Sequence, residues 1–175
     1  ELDPRLASWL AFADQKVGQV VTLSRGLNDG AAAIQADAAA AAAALAPEAM
    51  AHPLPAAAGC LDLPVLRAWR QDLAAFDVVA AGPGMTAGEG TRQVTEWLLG
   101  GGAGRLLLDA DALNVLAGWA ASGGVRPPAT AGHRILTPHP GEAARLLGTT
   151  AAAVQEDRAA AARRLAEATG AVVVL

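Results

Sequence analysis

Short aliphatic runs alternate with longer stretches of helical composition along the whole chain, and this alternation constrains the fold more than any single motif. Runs rich in Val and Leu are expected to form strands at 19–23, 49–53, 77–81, 105–109, 134–136 and 171–175. Helices are expected at 31–45, 65–73, 88–99, 112–119, 141–147 and 151–168, where Ala, Leu, Arg and Glu supply the propensity. Strand and helix in regular succession predict an α/β fold, a mostly parallel central sheet flanked by helices. With 175 residues, 53% of them hydrophobic, there is enough apolar surface for a real core, and on the order of 70% of the extended surface can be buried. Only 3% of residues are aromatic and there is no Tyr, so Leu, Val and Ala must fill that core with the four Trp as anchors.

Several function classes drop out on composition. A formal charge of −4 with scattered Arg gives no electrostatic footprint for nucleic acid. The longest apolar run, 38–46, is too short to cross a bilayer. Cys60 stands alone, which rules out an intrachain disulfide or a cysteine zinc cluster and fits a reducing cytoplasm. His52 and His133 sit beside expected strands and are read as structural. The acidic start lacks both a secretory signal and an initiator Met, so the termini are expected not to be native.

Glycine has two distinct uses here. Gly100-Gly101-Gly102-Ala103-Gly104 follows a helix and precedes a strand, so its role is to stop the helix. Gly82-Pro83-Gly84-Met85 follows a strand instead, at the carboxyl edge where open α/β sheets bind ligands. Two glycines around a proline bring bare backbone N–H groups close to a ligand, although the same tripeptide also serves plain chain reversal.

Two further segments end strands. Leu108-Asp109-Ala110-Asp111-Ala112-Leu113-Asn114 puts two carboxylates and an amide at the sheet edge, suited to hydrogen-bonding a polyhydroxylated ligand or a hydrated Mg²⁺. Helix capping by either Asp is the competing explanation. In Thr137-Pro138-His139-Pro140-Gly141-Glu142 two prolines bracket a histidine and an acidic residue follows three positions later. The prolines narrow the backbone, which predicts a fixed, ligand-facing His139.

In this order the three segments resemble the NAD(P)H-hydrate dehydratase family, with its Gly-Pro-Gly loop, Asp-Ala-Asp-Ala-Leu-Asn segment and Thr-Pro-His-Pro-Gly-Glu turn. Pro47-Glu48-Ala49-Met50 and Val154-Gln155-Glu156-Asp157-Arg158 are supporting matches, and the resemblance runs from about residue 17, with 1–16 unassigned. It implies a ribokinase-like layered fold and repair of hydrated nicotinamide cofactor, (6S)-NADHX or NADPHX, with ADP favoured over ATP as phosphoryl donor and Mg²⁺ accompanying it. It also implies substrate contacts from Gly82, Gly84, Asp109, Asp111, Asn114 and His139, and a phosphate- and Mg²⁺-associated role for Glu142. An epimerase domain or protein is the expected partner, and a homo-oligomer is expected. His139 stands where sugar kinases of this fold carry Asn, which favours the dehydratase over a vitamin or thiazole kinase. A binding module without catalysis is the third reading.

Two departures qualify the resemblance. The family's opening Gly-Ser loop has no counterpart in 1–16, and its Gly-x-Gly-Asp anion hole, whose Asp is the expected catalytic base, would fall beyond Leu175. The fold is therefore expected to be incomplete at both ends, and these residues alone inactive.

Overall fold

The computed structural model describes residues 20–23, 62–68, 73, 76–121 and 133–175. The helix expected at 31–45, the strand at 49–53, the Pro47 to Met50 match, His52, Cys60 and the connection at 122–128 lie outside the described residues.

Five strands form one sheet: β1 (Val20–Leu23), β2 (Val78–Ala81), β3 (Arg105–Leu108), β4 (His133–Leu136) and β5 (Val172–Val173). All neighbours are parallel and the spatial order follows the chain, β1-β2-β3-β4-β5. Parallel strands need crossovers, and right-handed crossovers that always step the same way deliver their helices to one face. The helices are α1 (Leu63–Ala68), α2 (Glu89–Trp97), α3 (Ala110–Ala121), α4 (Pro140–Leu147), α5 (Ala151–Glu156) and α6 (Arg158–Thr169). They touch in series, α1 on α2, α2 on α3, α3 on α4, and α4 on both α5 and α6.

Register decides which side chains meet those helices. Val79 pairs with Leu106, and Ala81, Leu108, Leu136 and Val173 form the next row. In that second row Ala81, Leu108 and Leu136 are buried, and they pack with Leu66, Val94 and Leu113 from the helices. The alternate row, Ala80, Leu107, Ile135 and Val172, points to the other face and is half-buried. A period of two along each strand is the physical reason the two rows differ.

The element boundaries depart from the sequence reading where local chemistry intervenes. The single helix expected at 151–168 is two, because Asp157 leaves helical geometry at φ −147° and its carboxylate accepts the Ala160 N–H at 2.8 Å. The strand expected at 171–175 is paired only at Val172–Val173. The glycine run does stop its helix: α2 opens into a wide turn, Leu98–Gly102, where Gly101 reaches φ 113°. Among the described residues no helix is long and apolar enough to cross a membrane.

Candidate functional site

The carboxyl ends of β2, β3 and β4 bring the three motif segments to one edge. After β2 the Gly82 carbonyl accepts the Met85 N–H at 3.1 Å, with Pro83 and Gly84 between them. Pro83 presets its φ and Gly84 takes φ 69°, the arrangement of a type II turn. Pro83 and Gly84 are exposed while Met85 is buried, so the turn presents its tip and anchors its end. Gly82 is required for a separate reason. Its φ is 134°, and a Cβ there would fall 1.7 Å from the Asp109 carbonyl oxygen. The β2 loop thus lies directly against the backbone that leaves β3.

That backbone is itself unusual. Asp109 donates its N–H to the Ala81 carbonyl at 3.1 Å, prolonging the β2–β3 ladder by one bond. Ala110 then adopts φ 46°, the left-handed region, and its N–H is taken by Asp109 Oδ1 at 2.8 Å. Asp109 also accepts the Ala112 N–H through its carbonyl, which starts α3. Asp111 does not serve its own helix. Its Oδ2 accepts the Thr86 N–H at 2.9 Å, tying α3 to the end of the Gly-Pro-Gly loop. Thr86 sits at φ 62°, and the Thr91 hydroxyl shares its single proton between the carbonyls of Met85 and Thr86. Asn114, one turn into α3, accepts the Arg145 Nε–H through Oδ1 at 3.1 Å.

The third segment enters through Thr137, whose N–H reaches the Leu108 carbonyl at 3.2 Å. His139 is the N-cap of α4, with Pro140 as the first helical residue. Its Nδ1 accepts the Gly141 N–H at 3.0 Å. A backbone N–H can only donate, so Nδ1 carries no proton and the neutral ring holds it on Nε2. Nε2 lies 3.1 Å from Glu142 Oε1, and the His139 backbone N–H donates to Oε2 at 2.9 Å. The Glu142 side chain is only 7% exposed, whereas the His139 ring is 62% exposed. A buried carboxylate must be hydrogen-bonded, and here the His139 N–H supplies the bond to Oε2 while the imidazole lies beside Oε1. The helix N-terminus adds to its stabilisation.

The seven residues singled out in the sequence therefore fall on three adjoining loops and the helix starts behind them. Asp109 and Asp111 come together with the Gly82 loop, Asn114 with Arg145 of α4, and His139 with Glu142. Among the described residues no three His, Cys, Asp or Glu side chains converge as a metal site. Sequence reasoning missed Arg145 and Thr86, which link the segments. Arg145 was open to discovery: four residues after Gly141 on a helix, it must lie on the same side as the turn. Thr86 gives no sequence signal, because nothing about a threonine announces a left-handed backbone.

A family model described as NAD(P)H-hydrate dehydratase matches residues 24–175. The chain belongs to this family. The bifunctional NAD(P)H-hydrate repair enzyme of Moorella thermoacetica is 42% identical over 118 residues, covering 67% of this chain and 22% of that protein. The ADP-dependent (S)-NAD(P)H-hydrate dehydratase of Neisseria meningitidis is 53% identical over 70 residues, 40% of this chain and 23% of that protein. The bifunctional NAD(P)H-hydrate repair enzyme of Escherichia coli is 40% identical over 99 residues, 57% of this chain and 18% of that protein. The chain thus spans about a fifth of the length of these relatives. The family match agrees with the motif resemblance over most of its extent, and the parallel sheet with flanking helices is consistent with the family's ribokinase-like fold.

Proposed function

We propose that this chain forms the substrate side of an NAD(P)H-hydrate dehydratase, which restores (6S)-NADHX or NADPHX to the reduced cofactor at the expense of ADP or ATP. The observation that carries the reading is the meeting of the Gly82-Pro83-Gly84 turn, the Asp109 backbone and the His139 turn on one sheet edge. The family match and the ADP-dependent relative support the choice of reaction.

The chemistry follows from the leaving group. A hydroxyl on the hydrated nicotinamide ring departs poorly as hydroxide. Transfer of a phosphoryl group from the nucleotide to that oxygen makes a phosphate ester, and loss of phosphate with a proton from the adjacent ring carbon restores the double bond. Positioning and electrostatic stabilisation dominate such a sequence. In this assignment the exposed Gly84 turn and His139 contact the dinucleotide, while Asp109, Asp111 and Asn114 shape the loop that faces it. Asp111 and Asn114 act mainly through Thr86 and Arg145. Mg²⁺ accompanies the nucleotide, with Glu142 on the phosphate side of the cleft and no described residue as a direct metal ligand. A homo-oligomer in the cytoplasm, working with an epimerase, is the proposed setting.

The test uses the native full-length protein carrying this chain, with hydrated cofactor and either nucleotide. Return of the near-ultraviolet absorbance of reduced nicotinamide is the expected result. A stable phosphorylated product would assign a kinase instead, and absence of turnover with both ADP and ATP overturns the proposal.

A further inference from the structure

We infer that Thr91 is a positioning residue of the substrate site, holding the end of the Gly82-Pro83-Gly84 loop from α2 while Asp111 holds it from α3, so that the exposed turn meets the dinucleotide already fixed. The inference rests on the dehydratase reading for the ligand that the turn meets, and on hydrogen bonding alone for the clamp.

Thr91 is the third residue of α2 and is fully buried. A hydroxyl at that place has two local uses, and it serves neither. A side chain at the third helical position can accept the N–H of the N-cap, but α2 starts without a side-chain cap. A helical threonine can also donate to the carbonyl four residues earlier. Thr91 instead reaches past the start of its helix, to the Met85 carbonyl at 2.9 Å and the Thr86 carbonyl at 2.6 Å, six and five residues back in the loop.

The opposite side of the same loop residue is held by the other helix, because the Thr86 N–H donates to Asp111 Oδ2 at 2.9 Å. Thr86 is therefore gripped at its carbonyl by α2 and at its N–H by α3. A threonine at φ 62° is kept where its surroundings over-determine it, and these two bonds do so. Pro83 and Gly84 are exposed immediately ahead of the grip, and Met85 is buried within it. The clamp turns two carbonyl oxygens inward onto a buried hydroxyl, which keeps their negative ends from an anionic dinucleotide. It also orders the loop before binding, so that the ligand does not bear that cost.

Thr95 supplies an internal control. It lies one turn further along the same face of α2 and is equally buried, yet its hydroxyl has no hydrogen-bond partner among the described residues.

The deciding experiment therefore compares Thr91→Val and Thr95→Val, which each exchange a hydroxyl for a methyl group of similar size, with Thr91→Ser, which keeps the hydroxyl. In the native full-length protein carrying this chain, Thr91→Val should raise KM for the hydrated cofactor about tenfold and leave kcat and the KM for nucleotide within about twofold. Thr91→Ser should bring KM back to within about threefold of native, and Thr95→Val should leave it unchanged. Hydrogen exchange of the Thr86 amide should quicken in Thr91→Val and not in Thr95→Val. An unchanged KM in Thr91→Val with only a lower Tm overturns the inference, as do an equal rise in Thr95→Val and an unchanged exchange of the Thr86 amide. If Thr91→Val folds poorly, Asp111→Ala frees the other side of the clamp: a raised KM for the hydrated cofactor with kcat kept supports the inference, and an unchanged KM overturns it. Absence of turnover in the native protein would instead remove the dehydratase reading, and the Thr86 exchange would still decide whether Thr91 holds the loop.

Discussion

The carboxyl edge of the sheet and the α5–α6 pair solve the same problem, how to begin and end helices, in opposite ways. At α5 and α6 the local rules are kept. Thr150 and Asp157 cap the two starts through their side chains, and Gly148 and Gly170 close α4 and α6 in the left-handed region. At the edge they are broken. Two residues with side chains, Thr86 and Ala110, occupy positive φ, α2 starts at Gly88 without a side-chain cap, and α4 starts at a histidine. Each left-handed non-glycine residue costs about 1 kcal/mol or more. Irregularity gathered where three loops converge, beside a helical pair that has none, marks the edge as the part shaped by something other than folding.

Glycine substitution tests that contrast most severely. Gly82→Ala puts a methyl group into the Asp109 carbonyl at a φ of 134°, and should cost about 4 kcal/mol or more. Gly148→Ala also meets a positive φ, 63°, but with nothing within 4 Å, and should cost about 1 kcal/mol. Urea denaturation of the two variants measures the difference. Equal losses would mean that backbone conformation alone demands glycine at 82, and that the close approach of the two loops is not a constraint.

The same contrast explains what could be read from the sequence. Strand positions were legible because aliphatic runs of the right length end at Gly82, Asp109 and Thr137, so the sequence alone sets each motif on the sheet edge. Periodicity carried the α2, α3 and α4 cores equally well. The break at Asp157 was missed because Ala-rich flanks overwhelm a single capping residue when propensity is summed. At the sheet edge, the segments that meet there were legible and the side-chain partners within them were not. The His139-x-x-Glu142 spacing is that of a capping box, but with histidine in place of Ser or Thr it reads as ligand chemistry. Likewise Asp111 looks like a cap for its own helix, and its true acceptor role toward Thr86 depends on a contact 25 positions away.

Smaller effects with opposite signs come from introducing glycine. Ala110→Gly relieves a φ of 46°, which offsets the entropy that glycine loses on folding, so the variant should be neutral or more stable by up to about 1 kcal/mol. Ala162→Gly, inside α6, relieves nothing and should cost about 1 kcal/mol. Thermal unfolding of both variants under one buffer condition checks the signs. If Ala110→Gly destabilises as much as Ala162→Gly, the strain at the start of α3 is not real.

The smallest effect concerns how α2 manages without a cap. Arg92 reaches both Glu89 and Glu96 on the exposed face of the helix, and Gln93 donates to Glu89 at 2.9 Å. Hydrogen bonding from Arg92, then from Gln93, holds the Glu89 carboxyl down from 4.5 to about 2. A depressed carboxylate stabilises the folded state fully above its unfolded value, and that contribution disappears as the pH falls through the folded one. Glu89→Gln should therefore lower Tm slightly at neutral pH, with the gap constant down to about pH 4.5 and closing toward pH 2. Because the cluster faces solvent, added salt should narrow the gap as well. A gap that ignores both acid and salt would mean that Glu89 supports α2 through packing, and that the edge helix is built as conventionally as α6.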